Sequence, residues 1–414
     1  MNAVPSLHIN SERLLASLMS LGEVGALDGG GVCRLALTDA DKLGRDWVVA
    51  RMRELGMSVA IDVVGNGVAV YEGTEDLPPV MTGSHIDTVR TGGLYDGNYG
   101  VLAGLEVVAT LRDAGVRTRR PVAVAFFTNE EGARFQPDMM GSLVYAGGLP
   151  LEQALAARDS DGLAAGEELQ RIGYQGQAPV GRPRVDSFVE LHVEQGPVLH
   201  GRGLQIGVVE SVQGISWSEF IFEGVSNHAG TTPMELRRDA GYVAACLSTF
   251  AHDLALRYGG RQIATVGSIR LTPNLVNVIA NRAVLTVDLR NTDAQALARA
   301  EAEVLEFASC TAAAQGVACR HRLLARFDPV AFETTVVDLV EQEAGRLGLS
   351  TVRMPSGAGH DAQMLARVCP AGMIFVPSVD GLSHNVREFT APQDLANGAQ
   401  LLLQVLLKLA NRIA

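Results

Sequence analysis

Apolar and polar positions along the first part of the chain predict strands and helices in turn. Apolar runs that end in polar residues, at 78–88 and 121–131, flank a segment with helical spacing at 98–114. Strand, helix and strand at this spacing form a βαβ unit, so a partly parallel sheet with helices on its faces is expected. Thr38 is placed to cap a helix that stops near Gly56, and the turn at 65–67 predicts a hairpin.

Residues from about 212 to 326 follow a different order. Strand patterns surround two helical segments, 234–257 and 293–314, in the sequence β-α-β-β-α-β. This order is typical of a ferredoxin-like unit. We therefore predict a first domain in two parts, 1–211 and 327–414, with a separate domain at 212–326 inserted between them. An Ala- and Gly-rich stretch at 156–181 predicts irregular structure.

The amino-acid composition limits the kinds of ligand and the cellular location that we expect for this protein. The chain has 34 Lys and Arg against 46 Asp and Glu, a net charge of −12, which argues against nucleic acid and anionic membranes as main ligands. No leader pattern opens the sequence, and no apolar run approaches the roughly 20 residues that cross a bilayer, so a cytoplasmic protein is expected. Five cysteines without a CxxC spacing predict reduced core residues and neither a zinc knuckle nor a disulfide frame.

Histidines and carboxylates concentrate where the apolar strands end. Asp96 precedes the helix of the βαβ unit, and the other polar groups follow strand patterns: His85, Glu130, Glu131, His192 and His384. Open α/β sheets bind ligands at the carboxyl ends of their strands. Imidazoles and carboxylates that meet there suit a divalent metal, Zn²⁺ above all, although Mn²⁺, Co²⁺ and Ni²⁺ accept the same donors. Asp87 is placed to accept the second ring N–H of His85.

The adjacent residues Glu130 and Glu131 suggest that the two carboxylates have different roles. Neighbouring residues that leave a strand point in opposite directions, so one carboxylate can bind a metal while the other faces water beside it. A metal that acidifies water and a carboxylate that takes the proton are what general-base hydrolysis requires. The alternative is a solvated acidic turn.

These segments, taken together, resemble a known family. The blocks are GSHIDTVRTGGLYDGNYGVLAGLE, TNEEGARF, ELHVEQGPVL, SNHAGTTPM, PSGAGHDAQ and PSVDGLSHNVRE. They resemble the hydantoinase/carbamoylase branch of the dinuclear-zinc aminoacylase and carboxypeptidase family. The resemblance implies an α/β fold of the zinc-exopeptidase type, with a mixed, mostly parallel sheet flanked by helices. It also makes the ferredoxin-like insertion a lid and dimerisation domain, and thus implies a homodimer.

The resemblance further implies a role for each matched position. Two divalent metal ions would be held by His85, Asp96, Glu131, His192 and His384, with Asp96 bridging them. Glu130 would be the general base and Asp87 would orient His85. The oxyanion would be stabilised by His228. Substrate would be bound by Gln195, Asn277, Arg290 and His360.

The implied activity is hydrolysis of the ureido C–N bond of N-carbamoyl-L-amino acids to the amino acid, CO₂ and ammonia. Allantoate amidohydrolase and β-ureidopropionase are alternatives with the same site, and a metallo-aminopeptidase or dipeptidase fits the HVEQG and Arg290 segments less well. A metal-binding protein without activity is a distant alternative. The expected partner is a small ureido acid, with no nucleic acid and no membrane.

Overall fold

The computed structural model describes residues 7–413 and divides them into two compact units. The first unit extends to Glu210 and resumes at Phe332, and the second is Ser211–Ala331. The predicted insertion at 212–326 falls within the second unit. Residues 1–6 of the predicted first domain, and residue 414, lie outside the described residues.

The described residues form thirteen strands: β1 (Ser58–Ile61), β2 (Gly67–Tyr71), β3 (Val80–His85), β4 (Val122–Phe127), β5 (Ser187–Val193), β6 (Ile206–Val212), β7 (Gly214–Glu223), β8 (Ile263–Thr272), β9 (Arg282–Asn291), β10 (Ala318–Phe327), β11 (Val330–Ala331), β12 (Thr351–Ser356) and β13 (Ala371–Val376).

They also form twelve α-helices: α1 (Ser11–Gly22), α2 (Asp39–Glu54), α3 (Asn98–Asp113), α4 (Met140–Tyr145), α5 (Leu151–Ala156), α6 (Ala165–Ile172), α7 (Val198–Arg202), α8 (Ala240–Tyr258), α9 (Ala294–Ala314), α10 (Thr334–Arg346), α11 (Asp361–Leu365) and α12 (Pro392–Asn411). None of the helices in this described part of the chain is long and apolar enough to span a bilayer.

The large sheet has the strand order β1-β2-β4-β3-β5-β13-β6-β11, with β12 also paired to β6. Strands β4, β3, β5 and β13 run parallel at its centre, and the pairs β1–β2, β2–β4 and β13–β6 are antiparallel. The four parallel strands are buried along their whole length, because helices such as α3 and α12 cover them. The predicted mixed sheet with flanking helices is confirmed, and its parallel part is the centre.

The second unit contains one antiparallel sheet in the order β10-β7-β9-β8. Helices α8 and α9 connect its strands and cover one face, where Phe220, Leu247, Leu285 and Val304 share a core. Alternate residues of β9 point into this core, as the apolar positions at 285, 287 and 289 predict. The β-α-β-β-α-β order is therefore observed.

Two local predictions were wrong. The stretch at 156–181 includes helix α6, whose Leu169 and Ile172 are buried; its Ala- and Gly-rich composition hides the helical pattern. The helix predicted at 234–257 begins only at Ala240, because the Asp239 side chain caps its first turn and a 3₁₀ turn precedes it. By contrast, Thr38 caps α2 as predicted, accepting the N–H of Asp41.

Candidate metal centre

The parallel strands bring the predicted polar residues to one edge of the large sheet. His85 is the last residue of β3, and the acidic pair at 130–131 follows β4. His192 is near the end of β5, and His384 follows β13. Because parallel strands end at the same edge, side chains as far apart in the chain as Asp96 and His384 become neighbours.

Asp96 lies between two sets of candidate ligands. Its Oδ1 is 3.2 Å from Nε2 of His192 and 3.6 Å from Nε2 of His85. Its Oδ2 is 3.3 Å from Nε2 of His384, which in turn is 3.2 Å from Oε2 of Glu131. Each oxygen of one carboxylate thus faces a separate set, as a bridging ligand requires.

Close packing of the turn around Asp96 allows its carboxylate to lie near both ligand sets. Gly97 has a φ of +65°, and a Cβ at this position would lie 2.4 Å from the ring of His85. Glycine is needed there both for the backbone conformation and for the space. Helix α3 begins at the next residue, so the turn is anchored to a buried helix.

Glu130 and Glu131 occupy different positions, in line with their alternation. Oε2 of Glu130 lies 3.4 Å from Nε2 of His85, and the residue is only 5% exposed. Glu131 faces His384 and belongs to the other set. The two carboxylates therefore do not act as a chelating pair, and Glu130 is placed beside the ligands.

The imidazole rings of His85 and His192 are oriented by backbone carbonyl groups. Nδ1 of His85 is 2.9 Å from the carbonyl oxygen of Asp87, and Nδ1 of His192 is 2.8 Å from that of Val193. An Nδ1–H donated to a carbonyl leaves the lone pair of Nε2 as the metal-binding atom, and in His192 this nitrogen here accepts the backbone N–H of Gly97 at 3.2 Å. Asp87 thus contacts the ring of His85 through its main-chain carbonyl oxygen and not through its carboxylate. That carboxylate instead accepts the backbone N–H groups of Glu130 and Glu131, at 3.3 and 3.4 Å.

The charged groups at this edge shift one another's protonation. Burial opposes ionisation of Asp96, but hydrogen bonds from His192, His384 and His85 outweigh it and hold the pKa of Asp96 well below its ordinary range. Burial raises the pKa of Glu130 well above its ordinary range, and the attraction of His85 offsets only part of the effect. Glu130 therefore holds a proton more tightly than an ordinary glutamate does.

The residues fit divalent metal ions. The two sets, His85–Asp96–His192 and Asp96–Glu131–His384, each place ligand atoms within 4.8 Å of one another. Oε1 of Glu131 is buried and has no hydrogen-bond partner among the described residues. A bound cation would compensate such an oxygen, and imidazole with carboxylate is the donor set that Zn²⁺ and related ions prefer.

Comparison with known proteins gives the family. A model described as Peptidase family M20/M25/M40 matches residues 81–408. The chain belongs to this family. N-carbamoyl-L-amino-acid amidohydrolase of Rhizobium meliloti is 40% identical over 403 residues, which cover 97% of each chain. Ureidoglycolate hydrolase of Arabidopsis thaliana is 33% identical over 421 residues, covering 99% of this chain and 88% of the relative.

Solved structures support the same assignment. A hydantoinase/carbamoylase family amidase from Burkholderia multivorans superposes with a TM-score of 0.96 at 44% identity, covering 99% of this chain and 100% of that chain. The resemblance to the hydantoinase/carbamoylase branch is therefore confirmed, and so is the zinc-exopeptidase-like fold.

Two of the predicted substrate-binding residues of this M20 family protein lie in the first unit, against the candidate ligands. The side-chain amide of Gln195 donates to Oδ2 of Asp96 at 2.9 Å. His360 is buried with its ring 4.6 Å from that of His192, and Nε2 of His360 is 2.9 Å from the Ser356 hydroxyl. Burial lowers the pKa of His360 well below its ordinary value, so its ring is neutral.

The other predicted contact residues lie in the second unit. His228 is exposed, and its Nδ1 accepts the backbone N–H groups of Gly230 and Thr231. Asn277 is exposed on the loop that follows β8. Arg290 is half-buried near the end of β9, where its guanidinium lies 2.9 Å from Oδ2 of Asp288. Their roles toward a substrate stay predictions.

Sequence reasoning missed two residues beside Asp96 in this M20 family protein. The Glu388 carboxylate accepts the backbone N–H groups of Tyr95 and Asp96, and the Ser383 hydroxyl lies 3.4 Å from Oδ2 of Asp96. Both lie in the segment SHNVRE, close to the predicted ligand His384. A second polar residue close to a predicted ligand is a signal that could have identified them.

Proposed function

We propose that this chain is a metal-dependent hydrolase that cleaves the ureido C–N bond of N-carbamoyl-L-amino acids. The products would be the L-amino acid, CO₂ and ammonia. The proposal rests above all on one observation: Asp96 faces two ligand sets while a further carboxylate, Glu130, stands 3.4 Å from His85. The 40% identity to an N-carbamoyl-L-amino-acid amidohydrolase over nearly the whole chain supports this choice of substrate.

The proposed cofactor is a pair of divalent ions, with Zn²⁺ the first choice. His85 and His192 would hold one ion, Glu131 and His384 would hold the other, and Asp96 would contribute one carboxylate oxygen to each. Ions bound in this way supply Lewis-acid polarisation of the carbamoyl group and acidify water.

The chain's own residues carry out the proton transfers. Glu130 accepts a proton from the attacking water and delivers it to the nitrogen that leaves as the amino group of the amino acid. Asp87 holds the turn that carries Glu130, since it accepts the N–H groups of residues 130 and 131. We assign stabilisation of the oxyanion to His228, binding of the substrate carboxylate to Arg290 and Asn277, and further contacts with the substrate to Gln195 and His360. A guanidinium can donate two parallel hydrogen bonds to a carboxylate.

A related ureido acid is the second candidate substrate. Similarity to a ureidoglycolate hydrolase, 33% identical over 421 residues, favours this alternative. Allantoate and N-carbamoyl-β-alanine belong to the same chemical class and would use the same residues. We further propose a homodimer through residues 212–326, which the family resemblance implies, and a cytoplasmic location.

Ammonia release tests the proposal directly. The purified protein, loaded with Zn²⁺ or Mn²⁺, is incubated with N-carbamoyl-L-methionine, N-carbamoyl-β-alanine, allantoate or ureidoglycolate, with and without a chelator. We expect the fastest chelator-sensitive release from N-carbamoyl-L-methionine, with the D-enantiomer as the matched control. If ammonia is released faster from N-carbamoyl-β-alanine, allantoate or ureidoglycolate, that compound becomes the proposed substrate. No release from any of the four compounds would overturn the proposal.

A further inference from the structure

Glu388 is a buried carboxylate whose hydrogen-bond donors are all neutral. It is 5% exposed and lies in the segment between His384 and α12. Its Oε1 accepts the backbone N–H of Tyr95 at 3.1 Å and that of Asp96 at 3.2 Å. Its Oε2 accepts the Ser383 hydroxyl at 3.3 Å. Burying a carboxylate is unfavourable unless hydrogen bonds compensate for the lost hydration. These three contacts provide that compensation.

All three contacts lead to Asp96. One is its own backbone N–H, and one is the N–H of the residue before it. The third is the Ser383 hydroxyl, whose oxygen is also 3.4 Å from Oδ2 of Asp96. The backbone and one carboxylate oxygen of Asp96 are thus both connected to Glu388.

The turn before Asp96 is shaped around this carboxylate. A Cβ on Gly93 would lie 2.1 Å from Oε1 of Glu388 and 2.2 Å from its Cδ. The same two segments also meet at Thr91, whose hydroxyl donates to the carbonyl oxygen of His384 at 3.3 Å. The segments that carry Asp96 and His384 are therefore joined through Glu388 and Thr91.

We propose that Glu388 is a positioning residue that sets the orientation of Asp96 between its two ligand sets. The inference rests on the proposed metal-binding role of Asp96. Residues that hold a metal ligand in place affect affinity through geometry, and their loss typically weakens binding about 10- to 100-fold. Glu388 is hydrogen-bonded to no ligand side chain of either set among the described residues, so its influence passes through the backbone at 95–96 and through Ser383.

Metal binding by the metal-free protein tests this role without any substrate. Zn²⁺ affinity is measured by competition with a chromophoric chelator, and the Co²⁺ absorption spectrum reports the ligand geometry. We expect Glu388→Ala to weaken binding by tenfold or more and to change the Co²⁺ spectrum. Gly93→Ala should have the same effects. This variant keeps Glu388 and its hydrogen-bond partners, but the added methyl group would displace the Glu388 carboxylate.

Glu388→Gln provides the conservative comparison. Its amide oxygen can still accept the N–H groups of Tyr95 and Asp96, and its NH₂ can donate to Ser383, so most of the affinity should return. Glu106→Ala is the matched control, because Glu106 is also a buried glutamate that accepts a backbone N–H, that of Asn10 at 2.8 Å. It should lower the thermal unfolding midpoint and leave Zn²⁺ affinity unchanged.

The outcomes separate positioning from general stability. The inference is supported if Glu388→Ala and Gly93→Ala each lose tenfold or more in Zn²⁺ affinity while Glu106→Ala does not. A smaller loss in Glu388→Ala, or an equal loss in Glu106→Ala, overturns it. If Glu388→Ala does not fold, Gly93→Ala decides by the same threshold. Tight metal binding in a protein that hydrolyses no ureido acid would count against the proposed function alone.

Discussion

His85 contacts Asp87 through the backbone: the ring Nδ1 lies 2.9 Å from the Asp87 carbonyl oxygen. The Asp87 carboxylate turns toward the next strand and accepts the N–H groups of residues 130 and 131. One residue thus orients a candidate ligand on β3 with its main chain and the acidic pair after β4 with its side chain. Substitution of the side chain should affect only the second of these roles.

Asp87→Asn should lower kcat about 10- to 100-fold with little change in metal content. The asparagine oxygen can accept one N–H, but its NH₂ group would face the other donor, and an unsatisfied buried donor costs about 1–3 kcal/mol. Steady-state kinetics on N-carbamoyl-L-methionine and metal analysis by mass spectrometry measure the two effects. Loss of metal in parallel with activity would show that the carboxylate also positions a metal ligand, Glu131, whose N–H it accepts.

Glu130→Gln should retain the metals and lose turnover. The amide keeps the shape of the side chain but cannot take a proton, and general acid–base catalysis contributes roughly 100- to 10,000-fold. Glu131→Gln is the paired variant, and it should lose metal as well as activity because Glu131 faces His384 at 3.2 Å. Metal content and kcat are measured on both. A Glu130→Gln protein within tenfold of the wild-type kcat would refute the general-base role.

Removal of metal should abolish activity and lower the thermal unfolding midpoint. An ion that binds only the folded state stabilises it by about 4 kcal/mol at a thousandfold excess over its dissociation constant. Without the ion, the buried Oε1 of Glu131 has no compensating partner among the described residues. Scanning calorimetry before and after dialysis against a chelator, and after return of Zn²⁺, measures the change. An unchanged midpoint in a sample shown to be metal-free would contradict the metal centre.

Arg290→Ala should raise KM about 10- to 100-fold for substrates with a free carboxylate. A hydrogen bond to a charged group contributes about 1.5–3 kcal/mol, and the present contact with Asp288 at 2.9 Å shows that the guanidinium can bind a carboxylate here. The matched substrate is the corresponding N-carbamoyl amino acid amide, which lacks the charge. Equal losses of kcat/KM on acid and amide would assign Arg290 to the structure of β9 instead.

Asp62 should make stability depend on pH. Burial raises its pKa to about 6 from an ordinary value of 3.8, so the folded chain holds a proton that the unfolded chain has released between these values. This contribution is complete below pH 3.8 and is lost as the pH rises through about 6, which amounts to roughly 3 kcal/mol at 1.36 kcal/mol per unit. The sign follows because the folded state binds more protons.

The Asp62 prediction is measured against Asp62→Asn. That variant lacks the titration, and its altered contact with Asn66 shifts stability equally at every pH. The wild-type unfolding midpoint should therefore fall relative to the variant between pH 4 and pH 7. A constant difference across this range would show that Asp62 ionises normally.

Much of the fold was predictable because its strands carry local patterns. Apolar runs such as β3 and β4 are buried on both faces, and glycines or caps such as Thr38 mark the ends of helices. Helix α6 was not predicted, since its buried face consists of only a few residues in an Ala- and Gly-rich stretch. Patterns of this kind report burial along one segment and do not report which segments pair.

The sequence by itself determined which residue types stand at the ends of the parallel strands, and hence that His85, His192 and His384 could converge with carboxylates. Only the tertiary structure decided which atom of each residue makes which contact. Asp96 divides its two oxygens between two sets, Asp87 uses its carbonyl toward His85, and Glu388 reaches back to the turn at 93–96. These contacts join segments that are far apart in the chain, and a pattern along one segment carries no information about them.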